Sequence, residues 1–182
     1  MSPFTISILS VITIVIIILF FFFFHKMQIK RKNERLYTDI TKIFDDIKAQ
    51  KDNFSYEKSY INGCDYILTT SKYKYYVKVI KNFNEDDICI NSALKWNFGK
   101  ALCSNKSKDV KENVDLIRLD LQKEKNGKKP RKLFIIYPSA KSILMIVNEC
   151  EYEFVDSSTD VYGNNIVTYE NLKKDFSQAI DF

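Results

Sequence analysis

Between Phe4 and Phe24 the chain runs for 21 residues without a charged side chain, and no other stretch limits its fold so strongly. Seventeen of these residues are Phe, Ile, Leu or Val, and the other four are Thr5, Ser7, Ser10 and Thr13. At a rise of about 1.5 Å per residue, a helix of this length covers roughly 31 Å, close to the ~30 Å hydrocarbon core of a bilayer. Each Phe, Ile, Leu or Val near the middle favours insertion by roughly 0.3–0.6 kcal/mol. The run therefore predicts a transmembrane helix over residues 4–24. A cleaved secretory signal needs a basic start, a shorter apolar core and a small-residue cleavage site. Met1-Ser2-Pro3 has no basic side chain, and His25-Lys26-Met27-Gln28 follows the run.

The flanks predict the direction. Lys26, Lys30, Arg31, Lys32 and Arg35 crowd one side, while residues 1–3 hold no Lys or Arg. The positive-inside rule places residues 1–3 outside a cell membrane and residues 25–182 in the cytoplasm. The same five cations are the expected contacts to anionic lipid headgroups, at about 1 kcal/mol each near the surface. The expected organisation is a short external segment (1–3), the span (4–24), a basic juxtamembrane segment (25–35) and one cytoplasmic domain (36–182).

The net charge of +5 does not spread over that domain. From Leu36 onward there are 23 Lys/Arg and 22 Asp/Glu, so the overall balance gives no case for a nucleic-acid partner. A local exception surrounds Asn126-Gly127, where Lys125, Lys128, Lys129, Arg131 and Lys132 form a candidate phosphate-contacting loop. Tyr73, Tyr75 and Tyr76 interleave with Lys72, Lys74 and Lys78, a pattern that can stack bases but more often makes a half-buried strand.

Periodicity gives a coarse plan. Leu36, Ile40, Ile43, Phe44 and Ile47 form one apolar stripe of a helix over 33–50. Strands are expected over 54–61, 65–70 and 75–80, joined by short turns as an antiparallel meander. Further expectations are a short strand at 88–90, a helix over 92–102, a strand over 114–121 and a strand at 133–137. A helix over 140–148 capped by Ser139, a strand at 152–155 and a helix from Thr168 to about Ala179 complete the plan. This is an α/β domain with a mixed sheet. Trp96 is expected in the core.

Several chemistries are excluded. His25 is the only histidine and lies at the membrane boundary, so Ser-His-Asp and Cys-His catalysis and histidine-bound metals are absent from the domain. Cys64, Cys89, Cys103 and Cys150 form no C-x-x-C pair and read as reduced, packed thiols. The four glycines form neither a dinucleotide fingerprint nor a phosphate loop. Carboxylate and lysine chemistry with a hard cation such as Mg²⁺ survives.

Asp65 opens the second expected strand and Lys78 lies on the third, thirteen residues on. Adjacent antiparallel strands can bring these two side chains to one sheet edge. The arrangement resembles the core of the restriction-endonuclease-like superfamily, ordered helix, three strands, helix, strand, over roughly residues 33–155. In that family an Asp begins the second strand and Glu-x-Lys lies on the third; two carboxylates hold Mg²⁺ and the lysine serves the attacking water. The resemblance implies Asp65 and Lys78 as catalytic residues and Asp65 as a metal ligand. Here Cys64 rather than proline precedes Asp65, and Tyr76 stands in place of the glutamate. Loss of one carboxylate weakens Mg²⁺ binding. Glu57 is the expected substitute, with Asp86 and Asp87 as others. The leading expectation is therefore a membrane-anchored, non-catalytic domain that needs no cofactor and holds a protein partner, or else nucleic acid, near the membrane. The alternative is a membrane-tethered, Mg²⁺-dependent nuclease.

Overall fold

The structure is a computed structural model and describes residues 3–59, 63–93, 95–99, 127–148 and 151–181. The chain divides into two compact units, Met1–Thr41 and Lys42–Phe182. A single helix, α1, runs from Pro3 to Gln50. No Gly or Pro occurs between Phe4 and Gln50, so nothing in the sequence kinks or stops it earlier.

In the first unit, α1 carries its apolar residues outward. The stretch from Ile12 is long and apolar enough to cross a membrane, and none of its apolar window is buried. Phe20 to Phe23 are 65–73% exposed. The rings of Phe20 and Phe24, one turn apart, stack at 6.3 Å. Further along, Lys30 pairs with Glu34 at 3.8 Å and Arg35 with Asp39 at 3.7 Å, both one turn apart on the surface. Such pairs add a few tenths of a kcal/mol each to a helix. All five members of the predicted stripe, Leu36 to Ile47, are buried.

The second unit holds two sheets. The first has the order β1 (Ser55–Lys58), β2 (Tyr66–Thr69), β3 (Tyr73–Asn82), β6 (Lys129–Pro138) and β9 (Asn164–Thr168). The second has the order β5 (Lys95–Gly99), β4 (Asp87–Ser92), β7 (Ile143–Asn148) and β8 (Glu151–Phe154). β1, β2 and β3 form an antiparallel meander, as the sequence predicts. β3, β6 and β9 then run parallel to one another. In the second sheet β4 and β7 are parallel, and each forms a hairpin with its outer neighbour.

A parallel sheet must be covered on both faces. One face of the first sheet meets the second sheet through a core of Ile67, Tyr76, Ile80, Ile88, Ile90, Trp96, Phe134, Ile136, Ile143 and Ile166. The other face meets helix. Phe44, fully buried, lies 5.2 Å from Tyr66 and 5.3 Å from Tyr56, ring to ring. The short helix α2 (Tyr169–Lys174) buries Leu172, and Tyr169 packs on Tyr137 at 5.0 Å. Thr168 caps α2 as predicted, its side chain accepting from the amide of Asn171.

Three local expectations are corrected. The helix expected over 140–148 is strand β7, because Ile143 and Met145 alternate inward and pair beside β4. A short apolar run does not separate the two states by periodicity alone, and the Ser139 hydroxyl donates to Glu170 instead of capping a helix. Within the expected helix 92–102, residues Lys95–Gly99 form β5, whose Trp96 and Phe98 face the core two residues apart. The last helix stops at Lys174, since the Asp175 side chain accepts from the amide of Ser177 and starts a separate 3-10 turn, Phe176–Gln178. The strand expected over 114–121 lies outside the described residues.

Phe44→Ala should cost about 3–5 kcal/mol of unfolding free energy, read by chemical denaturation of the full chain in a mild detergent. Tyr56 tests the same contact by pH. Its hydroxyl donates to Asp45, and burial together with that bond pushes its pKa from 10.0 to about 12. The raised value favours neutral Tyr56 in the fold, so its contribution is complete below about pH 10 and disappears as pH climbs through about 12. Tyr56→Phe should lose about 1 kcal/mol at pH 8, and the gap to wild type should close above pH 12.

Candidate functional site

The antiparallel register of β2 and β3, Tyr66 opposite Val77, places Asp65 opposite Lys78. Their charged atoms, Oδ2 and Nζ, are 3.8 Å apart, with side chains 15% and 21% exposed. The sequence thus brings this pair together. β2 stops at Tyr66 while β3 continues to Asn82. Where the ladder ends, the amide of Val79 donates to Oδ2 of Asp65 at 2.8 Å, so the carboxylate serves as a backbone acceptor would. The amide of Asp65 in turn donates to the carbonyl of Val77 at 2.8 Å. One oxygen therefore both closes the strand edge and faces the ammonium.

The surroundings are apolar. Lys78 shares a strand face with Tyr76 and Ile80, both members of the inter-sheet core. On the neighbouring strand it stands beside Phe134. Cys64, 2% exposed, adjoins the pair. Burial pushes its thiol pKa up and the Asp65 charge adds to that, while a backbone hydrogen bond, Lys78 and Ser59 oppose it. Tyr76, where the resemblance calls for Glu, is 8% exposed and part of the core. Glu57 on β1 stands opposite Ile67, which shares a sheet face with Asp65 two residues away on the strand. Asp86 lies in the β3–β4 turn, where Asn82 accepts from its amide and donates to its carbonyl. Asp87, 7% exposed, accepts from Ser142 at 2.6 Å. Among the described residues no group of three or more His, Cys, Asp or Glu is placed to hold a metal ion.

The basic segment around Gly127 takes a different shape from the expected loop. Lys125 lies outside the described residues. Lys128 extends to the carbonyl of Thr70 at 2.7 Å. Lys129, Arg131 and Lys132 are on β6 itself, paired with Tyr73, Tyr75 and Tyr76 of β3. Arg131 forms an ion pair with Asp181 at 2.6 Å and stacks its guanidinium on the Tyr73 ring at 3.9 Å. Lys26, Lys30, Arg31, Lys32 and Arg35 all lie on α1 beyond the apolar run. Trp96 is a core residue, 1% exposed and 5.0 Å from Phe134, with no hydrogen-bond partner for its indole N–H among the described residues.

Asn82 is a site that sequence reasoning missed. It is 3% exposed and donates to the carbonyls of Asp86 and Ser139, both at 2.9 Å, tying the ends of β3 and β6 together. An asparagine ending a strand reads as a turn residue in sequence, so its long-range bond had no signal.

The double duty of Asp65 makes a stability prediction. Asp65→Ala leaves the Val79 amide and Lys78 without that acceptor and should cost about 2–3 kcal/mol in denaturant unfolding. Asp65→Asn keeps an acceptor oxygen and should cost about half as much. Comparison with protein-family models, with curated proteins and with solved structures finds no match for this chain.

Proposed function

We propose that this chain is a single-pass membrane protein whose apolar helix holds a non-catalytic α/β domain at the cytoplasmic face, where the domain binds a protein partner. The observation that carries the reading is the helix itself. Its twelve apolar residues from Ile12 to Phe24 stand 44–73% exposed, and five cations follow within about three turns. An apolar surface of that extent in water costs far more than in lipid. The non-catalytic part rests on Asp65, whose oxygen is engaged by Val79 and Lys78, and on Tyr76 filling core space where a second carboxylate would stand.

The 3.8 Å approach of Asp65 and Lys78 favours one second reading, a metal-dependent nuclease. In that reading Asp65, with Glu57 recruited from β1, would hold Mg²⁺. The full chain in detergent separates the two. Incubated with plasmid DNA and Mn²⁺, it should give no cleavage that Asp65→Asn removes; cleavage abolished by that substitution would instead establish the nuclease.

Orientation has its own test. Protease added outside intact cells should leave the domain uncut, and protease added to inverted membrane vesicles should degrade it. Digestion from the outside in sealed cells would reverse the assignment.

A further inference from the structure

Two basic segments that are remote in sequence meet at one end of the first sheet. β3 and β6 start side by side, Tyr73 next to Lys129 and Tyr75 next to Arg131. The amide of Lys129 donates to the carbonyl of Lys72 at 3.2 Å. The Lys128 ammonium meets the Thr70 carbonyl across 58 positions of sequence. Strand alternation puts Tyr73, Lys129 and Arg131 on the face away from the second sheet. There Lys72 and Tyr73, with Ser177, Ile180 and Asp181, line a cavity of about 420 Å³.

Arg131, which pairs with Asp181 of this lining, is held ready. Arg131 lies flat on the Tyr73 ring at 3.9 Å, which fixes its plane and leaves its edge for an oxyanion. An oxyanion is there already, the Asp181 carboxylate, at 2.6 Å from Nη1. Asp181 reaches this place because its amide donates to the Tyr75 hydroxyl at 2.9 Å. Its side chain remains 53% exposed, so it is accessible to exchange. Lys72 and Lys129 are exposed and have no ion-pair partner among the described residues. One monovalent carboxylate thus faces Arg131 directly, shares its cavity with Lys72, and has Lys129 on the same strand face as Arg131.

We propose that this end of the sheet is a site for a phosphomonoester, gripped by Arg131 and flanked by Lys72 and Lys129, with Asp181 as an internal stand-in that the ligand displaces. A phosphate carries nearly two charges and three acceptor oxygens, which suit a guanidinium fork and two ammonium groups better than one carboxylate does. The site lies apart from the Asp65–Lys78 pair and needs no metal. The phosphate can be soluble or borne on a lipid headgroup.

The test uses the full chain in phosphatidylcholine nanodiscs, with inorganic phosphate as the probe in calorimetric titration. Saturable binding is expected, weakened about tenfold in the Lys72→Ala/Lys129→Ala double variant and tightened about tenfold in Asp181→Asn. Glu153→Gln, the same charge change on β8, should stay within about twofold of wild type. Thermal unfolding of each variant confirms that it is folded. Absence of saturable binding in folded Asp181→Asn overturns the proposal, as does equal tightening by Glu153→Gln. Co-flotation with phosphatidic acid vesicles, competed by inorganic phosphate, assigns the site to a lipid headgroup. Phosphate binding without co-flotation assigns it to a soluble ester, and co-flotation without saturable phosphate binding overturns the site.

Discussion

The ten-residue parallel ladder between β3 and β6 is the interaction on which the domain depends. Its residues are buried on both faces over most of its length, so each face demands a cover. Helix provides one. The other comes from the crossovers themselves. The chain between β3 and β6 contributes the β4–β5 hairpin, and the chain between β6 and β9 contributes the β7–β8 hairpin. The parallel pairing of β4 with β7 welds the two into a second sheet. A crossover more often lays a helix on such a sheet; here two hairpins do that work, and Trp96, Ile88, Ile90 and Ile143 are their contribution to the core.

The same ladder sets the chemistry at its two ends. At one end β3 outruns β2, and the exposed backbone is closed by the Asp65 carboxylate with Lys78 alongside. Asn82 seals the far end of β3 against the turn that leads to β4. At the other end the parallel starts of β3 and β6 concentrate cations, and Asp181 answers one of them. Carboxylate and lysine at the first place, and arginine and lysine at the second, are brought together by strand register rather than by closeness in sequence.

This explains what could be read in advance. The apolar helix, the antiparallel meander and the Thr168 cap rest on local rules, and all three are present. The stripe from Leu36 to Ile47 was legible because a 3.6-residue period repeats over several turns. Asp65 and Lys78 could be paired because a short turn between adjacent strands fixes their register. By contrast, Ile143–Asn148 and Lys95–Gly99 are short apolar runs whose state is decided by strands far away in sequence, so helix and strand looked alike. The gathering of Lys72 with Lys129 was hidden for the same reason. It depends on a parallel pairing that no local signal announces.

The hydrogen bond from Asp181 to the Tyr75 hydroxyl spans 106 positions, and it bears on the order in which the protein is made. Synthesis produces the apolar helix before β3, and only much later β6, which pairs with β3 in parallel, then β9 beyond it and the segment that seals Tyr75. Until then the meander waits with its apolar face uncovered, and non-local pairings of this kind form slowly. In the membrane-anchored reading proposed above, a chain held by this helix at a bilayer would not diffuse away from its neighbours during that interval. On that reading, newly made copies would be crowded at a surface while their strand edges are still open, and the rate of elongation between β3 and β9 would help determine how much protein reaches its folded state.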